Sequence, residues 1–184
     1  MNIHICSRQD VLLLNDKNLN IISFYDDEDG KVNYNTENNV IYCHVVDIDY
    51  DELDEYGLTY DSYFSEVNDV AKFIHKCIKN NEDIICQCEY GQGRSAGCAA
   101  AIEEYLNSNG IKIFADYKYH PNKLIFNKLL NALIGLNMTD RELLEHIAET
   151  VSELENSVKN IEFTLENDVS KKISIIAEAH GFLG

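Results

Sequence analysis

The sequence predicts an α/β fold, a central and mostly parallel sheet flanked by helices, with a helical extension at its C-terminal end. Three observations lead there. Short apolar, β-branched runs alternate with segments whose apolar residues recur every three or four positions, the order that covers a parallel sheet with helices. One of those runs, Ile84-Ile85-Cys86, passes through a glycine-bearing turn into a stretch of small residues. Past residue 137 the pattern changes to an apolar repeat of heptad type.

In chain order, Asn2–Cys6 reads as a short strand and Gln9–Leu14 as a helical piece. Asn20–Tyr25 is a buried strand that ends in the acidic turn Asp26-Asp27-Glu28-Asp29-Gly30. Val40–Val46, rich in β-branched and aromatic residues, is a further strand. Phe64, Val67, Val70, Ala71, Ile74 and Ile78 carry the spacing of an amphipathic helix. Ile84–Cys86 is long enough only for a central strand. Ala96–Leu106 is a helix able to pack closely on a sheet, with Asn109-Gly110 as its stop. Pro121, the single proline, opens a last helix through Phe126, Leu129, Leu130 and Leu133 to Gly135. Residues 1–137 therefore form one domain, and residues 138–184 a helical tail.

The tail starts at a capping box, Thr139-Asp140-Arg141-Glu142. Leu144, Ile147, Val151, Leu154, Val158, Ile161 and Leu165 then keep a 3–4 spacing, which Val169, Ile173 and Ile176 continue with a slipped step. At about 1.5 Å per residue one helix through this stretch exceeds roughly 50 Å, so part of its seam must meet another helix. Two readings follow: a coiled coil joining two copies of the chain, or two shorter helices that break near Asn167-Asp168 and fold back.

Composition narrows the function. With 184 residues and 45% hydrophobic content the chain can bury a proper core, and its net charge of −17 argues against nucleic-acid binding, which needs Lys and Arg along phosphates. The start Met1-Asn2-Ile3-His4-Ile5-Cys6 lacks the basic and apolar regions of a secretory signal, and no run is apolar enough to span a bilayer. The expectation is a cytoplasmic protein without membrane attachment. Cys6, Cys43, Cys77, Cys86, Cys88 and Cys98 are scattered without paired Cys-x-x-Cys knuckles, so they read as reduced thiols. No metal site and no cofactor is implied.

The segment with chemistry is Cys88-Glu89-Tyr90-Gly91-Gln92-Gly93-Arg94-Ser95. A strand delivers Cys88, a turn with Gly91 and Gly93 follows, and a helix begins at about Ser95. Backbone N–H groups of such a turn converge on one point, and the helix N-terminus adds partial positive charge. The result is an anion pocket built by Glu89, Tyr90, Gly91, Gln92, Gly93 and Arg94. Arg94 supplies a guanidinium fork suited to two phosphate oxygens. The same field favours the thiolate of Cys88, placed for in-line attack on phosphorus, and Ser95 can donate its hydroxyl to that sulfur.

This loop resembles the Cys-x5-Arg signature of the protein tyrosine phosphatase superfamily. Its position and its Cys-Glu-x-Gly-x-x-Arg-Ser reading look like the dual-specificity branch, in particular its short bacterial and phage-type members. The likeness extends over residues 1–137, including the strand and acidic segment near residue 47 and Tyr117–Leu130 with its His-Pro-Asn-Lys run, and leaves the tail out. It implies the cysteine-phosphatase fold, Cys88 as nucleophile, Arg94 as phosphate ligand and Ser95 as the aid to breakdown of a phosphocysteine. It also implies an aspartate general acid after the preceding strand. Matching the apolar–Asp–Ile pattern selects Asp47, while counting from Tyr42 selects Asp49; Asp47 is preferred. Where the family usually has His before the cysteine, this chain has Gln87.

The implied substrate is a phosphorylated protein, phosphotyrosine or mixed phosphoamino acids, or a small phosphoester. Alternatives are a phosphatase of inositol phosphates or RNA 5′-phosphates, for which Lys118 and Lys123 are the nearest extra cations in sequence, and a phosphate-binding module without turnover. Cys86 and Cys98 read as buried thiols rather than partners of an oxidised Cys88. His120 reads as a cap or supporting residue, and Tyr90 as a side chain pointing outward.

Overall fold

The computed structural model describes residues 1–14, 17–136, 151–161 and 163, and the chain divides into two compact units, Met1–Asn137 and Met138–Gly184. In the first unit β1 (Ile3–Cys6), β2 (Asn20–Tyr25), β3 (Asn39–His44) and β4 (Ile84–Gln87) form a sheet in the order β1-β4-β2-β3, every pair parallel. The two inner strands are the two apolar ones. β4 is buried along its whole length and β2 up to Phe24, as strands covered on both faces must be.

The period of two in a strand assigns each face. Ile22 and Cys86 enter the larger core with Val70, Ala71 and Ile74 of α2 (Val67–Asn80), Ile102 of α3 (Arg94–Asn107), and Leu129 and Leu133. Ile21 and Ile85 face a smaller core with Val32 and with Val11 of α1 (Arg8–Leu13). A short helix, α4, spans Ile111–Ala115, and α5 spans residues 123–136. The sequence reading assigned no element to α4 or to the single 3₁₀ turn at Tyr50–Glu52.

Several boundaries shift for local reasons. The helix expected from Phe64 starts at Val67, because Phe64 adopts a left-handed φ of 57° and packs edge-on against Phe24 at 5.6 Å. The strand expected through Val46 leaves the sheet after His44, where the Val45 carbonyl turns to accept a hydrogen bond from Arg94. α3 ends at Ser108, in the left-handed conformation at φ 51°, ahead of the expected Asn109-Gly110 stop.

In the second unit, residues 151–161 and 163 are helical and exposed, including Val151, Leu154, Val158 and Ile161 of the predicted seam. The capping box Thr139–Glu142 and the seam residues Leu144, Ile147, Leu165, Val169, Ile173 and Ile176 lie outside the described residues. Among the described residues no helix is long and apolar enough to cross a membrane, and no cluster of three His, Cys, Asp or Glu side chains could hold a metal.

Candidate active site

β4 ends by delivering Cys88, which is 2% exposed, to a loop bolted onto the end of β1. The Cys88 N–H donates to the Cys6 carbonyl (3.4 Å), and the Arg8 N–H to the Glu89 carbonyl (3.1 Å). Gly91 has φ 68°, and a β-carbon there would lie 2.7 Å from the Ser7 nitrogen, so only glycine lets the turn pass this close to β1. The Arg8 guanidinium pairs with the Glu89 carboxylate and donates to the carbonyls of Asp29 (2.6 Å) and Gly30 (2.7 Å). Arg8 thus ties the anion loop to the acidic turn after β2, and takes up the Glu89 side chain. Tyr90 is 78% exposed at the rim, as expected of it.

The Cys88 sulfur lies 3.1 Å from the Ser95 hydroxyl, which is fully buried in the first turn of α3. Helix α3 starts at Arg94, so its first-turn N–H groups, which lack helical partners, close the loop. Cys86 and Cys98 face each other in the core at 3.6 Å between sulfurs. Burial pushes the Cys98 thiol well above its ordinary value, with Cys86 adding to the shift. Gln87 is buried, and its carbonyl oxygen accepts from Ser23 (2.7 Å) and from the Tyr34 phenol (2.8 Å).

Arg94 is 3% exposed. Its Nη1 donates to Asp26 (2.9 Å) and to the Val45 carbonyl (3.0 Å), and its Nη2 to Asp29 (2.5 Å). Burial alone would lower the guanidinium's affinity for its proton, but Asp29, Cys88, Asp47 and Asp26 outweigh it and the value is raised. A guanidinium has five N–H donors. Three are committed to Asp26, Val45 and Asp29, and among the described residues the buried Nε has no hydrogen-bond partner. That Nε–H is a donor a phosphate could take.

Asp47 and Asp49 both reach a pocket of about 300 Å³ that also involves Cys88, Gly93, Arg94 and Asn122. The two aspartates differ in their partners. Asp47 accepts from the Asn122 amide (2.9 Å) through Oδ1 and stands 3.8 Å from Arg94 Nε through Oδ2. Asp49 opens the 3₁₀ turn, where its backbone N–H donates to Glu52 (2.7 Å). Behind the Asp47 segment, Tyr63 is buried and donates its hydroxyl to the Val46 carbonyl at 3.0 Å. The His120 N–H donates to the Gln92 carbonyl (3.0 Å), and His120 lines the same pocket, whereas Lys118 and Lys123 do not.

Sequence reasoning missed Asp26, Asp29, Arg8 and Asn122. The acidic turn read only as the end of a strand, yet two of its carboxylates orient the Arg94 guanidinium. The only available signal was that a buried arginine needs acceptors.

No protein-family model and no curated protein matches the chain. Among solved structures it is similar to PTPMT1 in complex with PI(5)P, at 12% identity and a TM-score of 0.47 over 76% of this chain and 94% of that one. It is also similar to a human tyrosine phosphatase-like serine/threonine/tyrosine-interacting protein (12% identity, TM-score 0.46, 68% and 83% covered). A leucine-rich repeat and phosphatase domain protein from Entamoeba histolytica follows (16% identity, TM-score 0.43, 74% and 89% covered). With TM-scores below 0.5, none of these likenesses bears on the chemistry of the pocket, which stands on its own geometry.

Proposed function

We propose that this chain is a cysteine-dependent phosphatase of the tyrosine or dual-specificity kind, acting on phosphate monoesters through a phosphocysteine. One observation carries the reading: a buried Cys88 thiol, 3.1 Å from the Ser95 hydroxyl, shares a pocket with an arginine whose buried Nε–H has no hydrogen-bond partner. In this mechanism Arg94 and the loop N–H groups hold the phosphate while the Cys88 thiolate attacks phosphorus. The bond from phosphorus to the leaving oxygen breaks, and Asp47 gives that oxygen its proton. Water then attacks the phosphocysteine, with the Asp47 carboxylate taking its proton. The thiolate departs towards the Ser95 hydroxyl, and inorganic phosphate is released.

The lining favours a single phosphate. Arg94 is accompanied by Asp47, Asp49 and Glu52, an arrangement that repels the further phosphates of an inositol polyphosphate. A phosphotyrosine or phosphoserine side chain presents one dianion and no more. The six free thiols accord with the cytoplasmic setting that belongs to the same proposal.

The test is phosphate release from a phosphotyrosine peptide, a phosphoserine peptide and an inositol phosphate, by the wild type and by Cys88→Ser. Turnover of the peptides that falls to background in Cys88→Ser, with tungstate still bound, is the expected result. Hydrolysis surviving in Cys88→Ser would exclude the thiolate mechanism. A wild type that binds tungstate but cleaves none of the three would be a phosphate-binding module.

A further inference from the structure

The position of Asp47 is set from outside its own loop. Asn122 is 94% buried, at 6% exposure, and its carboxamide is used at both ends. The amide nitrogen donates to Asp47 Oδ1 (2.9 Å) and to the Ile48 carbonyl (3.0 Å), so it grips the acid segment by side chain and backbone together. The amide oxygen accepts the Ile125 N–H (3.0 Å), which makes Asn122 the N-cap of α5. The Asn122 backbone N–H donates to the Gly93 carbonyl (3.1 Å) at the end of the anion loop. Its own carbonyl lies where a β-carbon on Gly97 would come within 2.5 Å, so α3 carries glycine at this crossing. One residue therefore connects the acid segment, the anion loop, α3 and α5.

The competitor for Asp47 is close by. Its other oxygen lies 3.8 Å from Arg94 Nε, a buried N–H without a hydrogen-bond partner. A carboxylate free to move about one ångström would close that gap and form a charge-assisted hydrogen bond, stronger than a neutral one. It would then occupy the fork that a phosphate needs and leave the position from which it can protonate a leaving oxygen. The hydrogen bonds that the Asn122 amide donates to Asp47 and to the Ile48 carbonyl oppose that collapse.

We propose that Asn122 is a positioning residue for the acid step, holding Asp47 off Arg94 so that acid and phosphate grip coexist. This inference rests on the reading of Asp47 as general acid. Asn122→Ser is the informative variant, because serine caps a helix about as well as asparagine but is too short to reach Asp47. Kinetics on two substrates separate the roles. On phosphotyrosine, a poor leaving group, Asn122→Ser should lose roughly 10²-fold in kcat, the scale of a misplacement of about 1 Å. On an activated aryl phosphate, whose leaving oxygen needs little protonation, the loss should be roughly tenfold smaller.

A double-mutant cycle completes the test. In an Asp47→Asn background, Asn122→Ser should cost little further turnover on phosphotyrosine, since the group it positions is gone. Equal losses in kcat on the two substrates, or an undiminished loss in the Asp47→Asn background, would make Asn122 a structural bolt only and overturn the inference. If Asp47→Asn alone shows no leaving-group-dependent loss, the acid assignment falls and this inference with it, while the Cys88→Ser result stands apart. Melting temperatures of all the variants establish that the fold is kept.

Discussion

A β-carbon at Gly93 would lie 2.2 Å from Oδ2 of Asp47 and 3.0 Å from its Cγ, so the Asp47 carboxylate rests directly on the residue that precedes α3. Gly93→Ala is therefore expected to push Asp47 aside. The carboxylate is half-exposed and can move, so the stability loss should stay near about 1 kcal/mol. Turnover of phosphotyrosine should fall roughly 10²-fold. Thermal unfolding and kcat measured together check this, and a stable variant with full turnover would show that Asp47 need not sit there.

The acidic turn makes the site sensitive to acid. Burial alone would raise the Asp26 carboxyl, but the backbone N–H groups of Asp29 and Glu28 and the Arg94 guanidinium hold it below its ordinary 3.8. A depressed carboxyl contributes stability that is present above its ordinary value and lost as pH falls through the lowered one. Asp26→Asn should therefore melt below the wild type near neutral pH, with the gap closing as pH drops past 3.8. A gap that does not change with pH would assign the loss to packing instead.

At the alkaline end the sign reverses. Burial pushes the Tyr34 phenol up from 10.0 to about 12, while its hydrogen bond to Ser23 pulls the other way. A raised group contributes stability that is complete below pH 10 and lost as pH rises through about 12. Tyr34→Phe should flatten the decline in stability over that window. It should also destabilise the neutral protein by about 1 kcal/mol, because Gln87 loses the phenol's bond. Denaturant midpoints at pH 8 and above pH 10 measure both effects.

The tail prediction concerns assembly. Val151, Leu154, Val158 and Ile161 are each 49–60% exposed along one helical stripe, and an exposed apolar side chain forgoes roughly 1.5–3 kcal/mol of burial. A second copy is the simplest cover, since symmetric homodimers are the commonest oligomers. Light scattering of the full chain should give a dimer, and Leu154→Lys with Val158→Glu should give a monomer that keeps its activity on an aryl phosphate. A monomeric wild type at tens of micromolar would favour a tail that folds back.

Much of the fold was legible because it follows from local pattern. Asn20–Tyr25 is a strand with the bounds its residues suggest, and Ile84-Ile85-Cys86 is part of a central strand because its side chains are apolar. Phe64 was misplaced in α2 because its apolar spacing fits a helix, and only the packing against Phe24 shows why its backbone turns left-handed. The turn after β4 was readable for a related reason: Cys88, Gly91, Gly93, Arg94 and the start of α3 lie within eight consecutive residues, so their geometry is set by one turn.

The partners of that loop were not readable, because they come from distant segments. By itself the sequence determined the parallel α/β order, the strand–turn–helix corner at Cys88 and the pairing of Cys88 with Ser95, all matters of periodicity and short-range geometry. Tertiary structure alone decided that Asp26 and Asp29, more than sixty residues away, orient Arg94, and that Asn122 separates Asp47 from Asp49 by binding one of them. The physical reason is burial. A guanidinium or a carboxylate withdrawn from water must find its counterparts wherever the fold brings them, and sequence spacing records nothing of that distance.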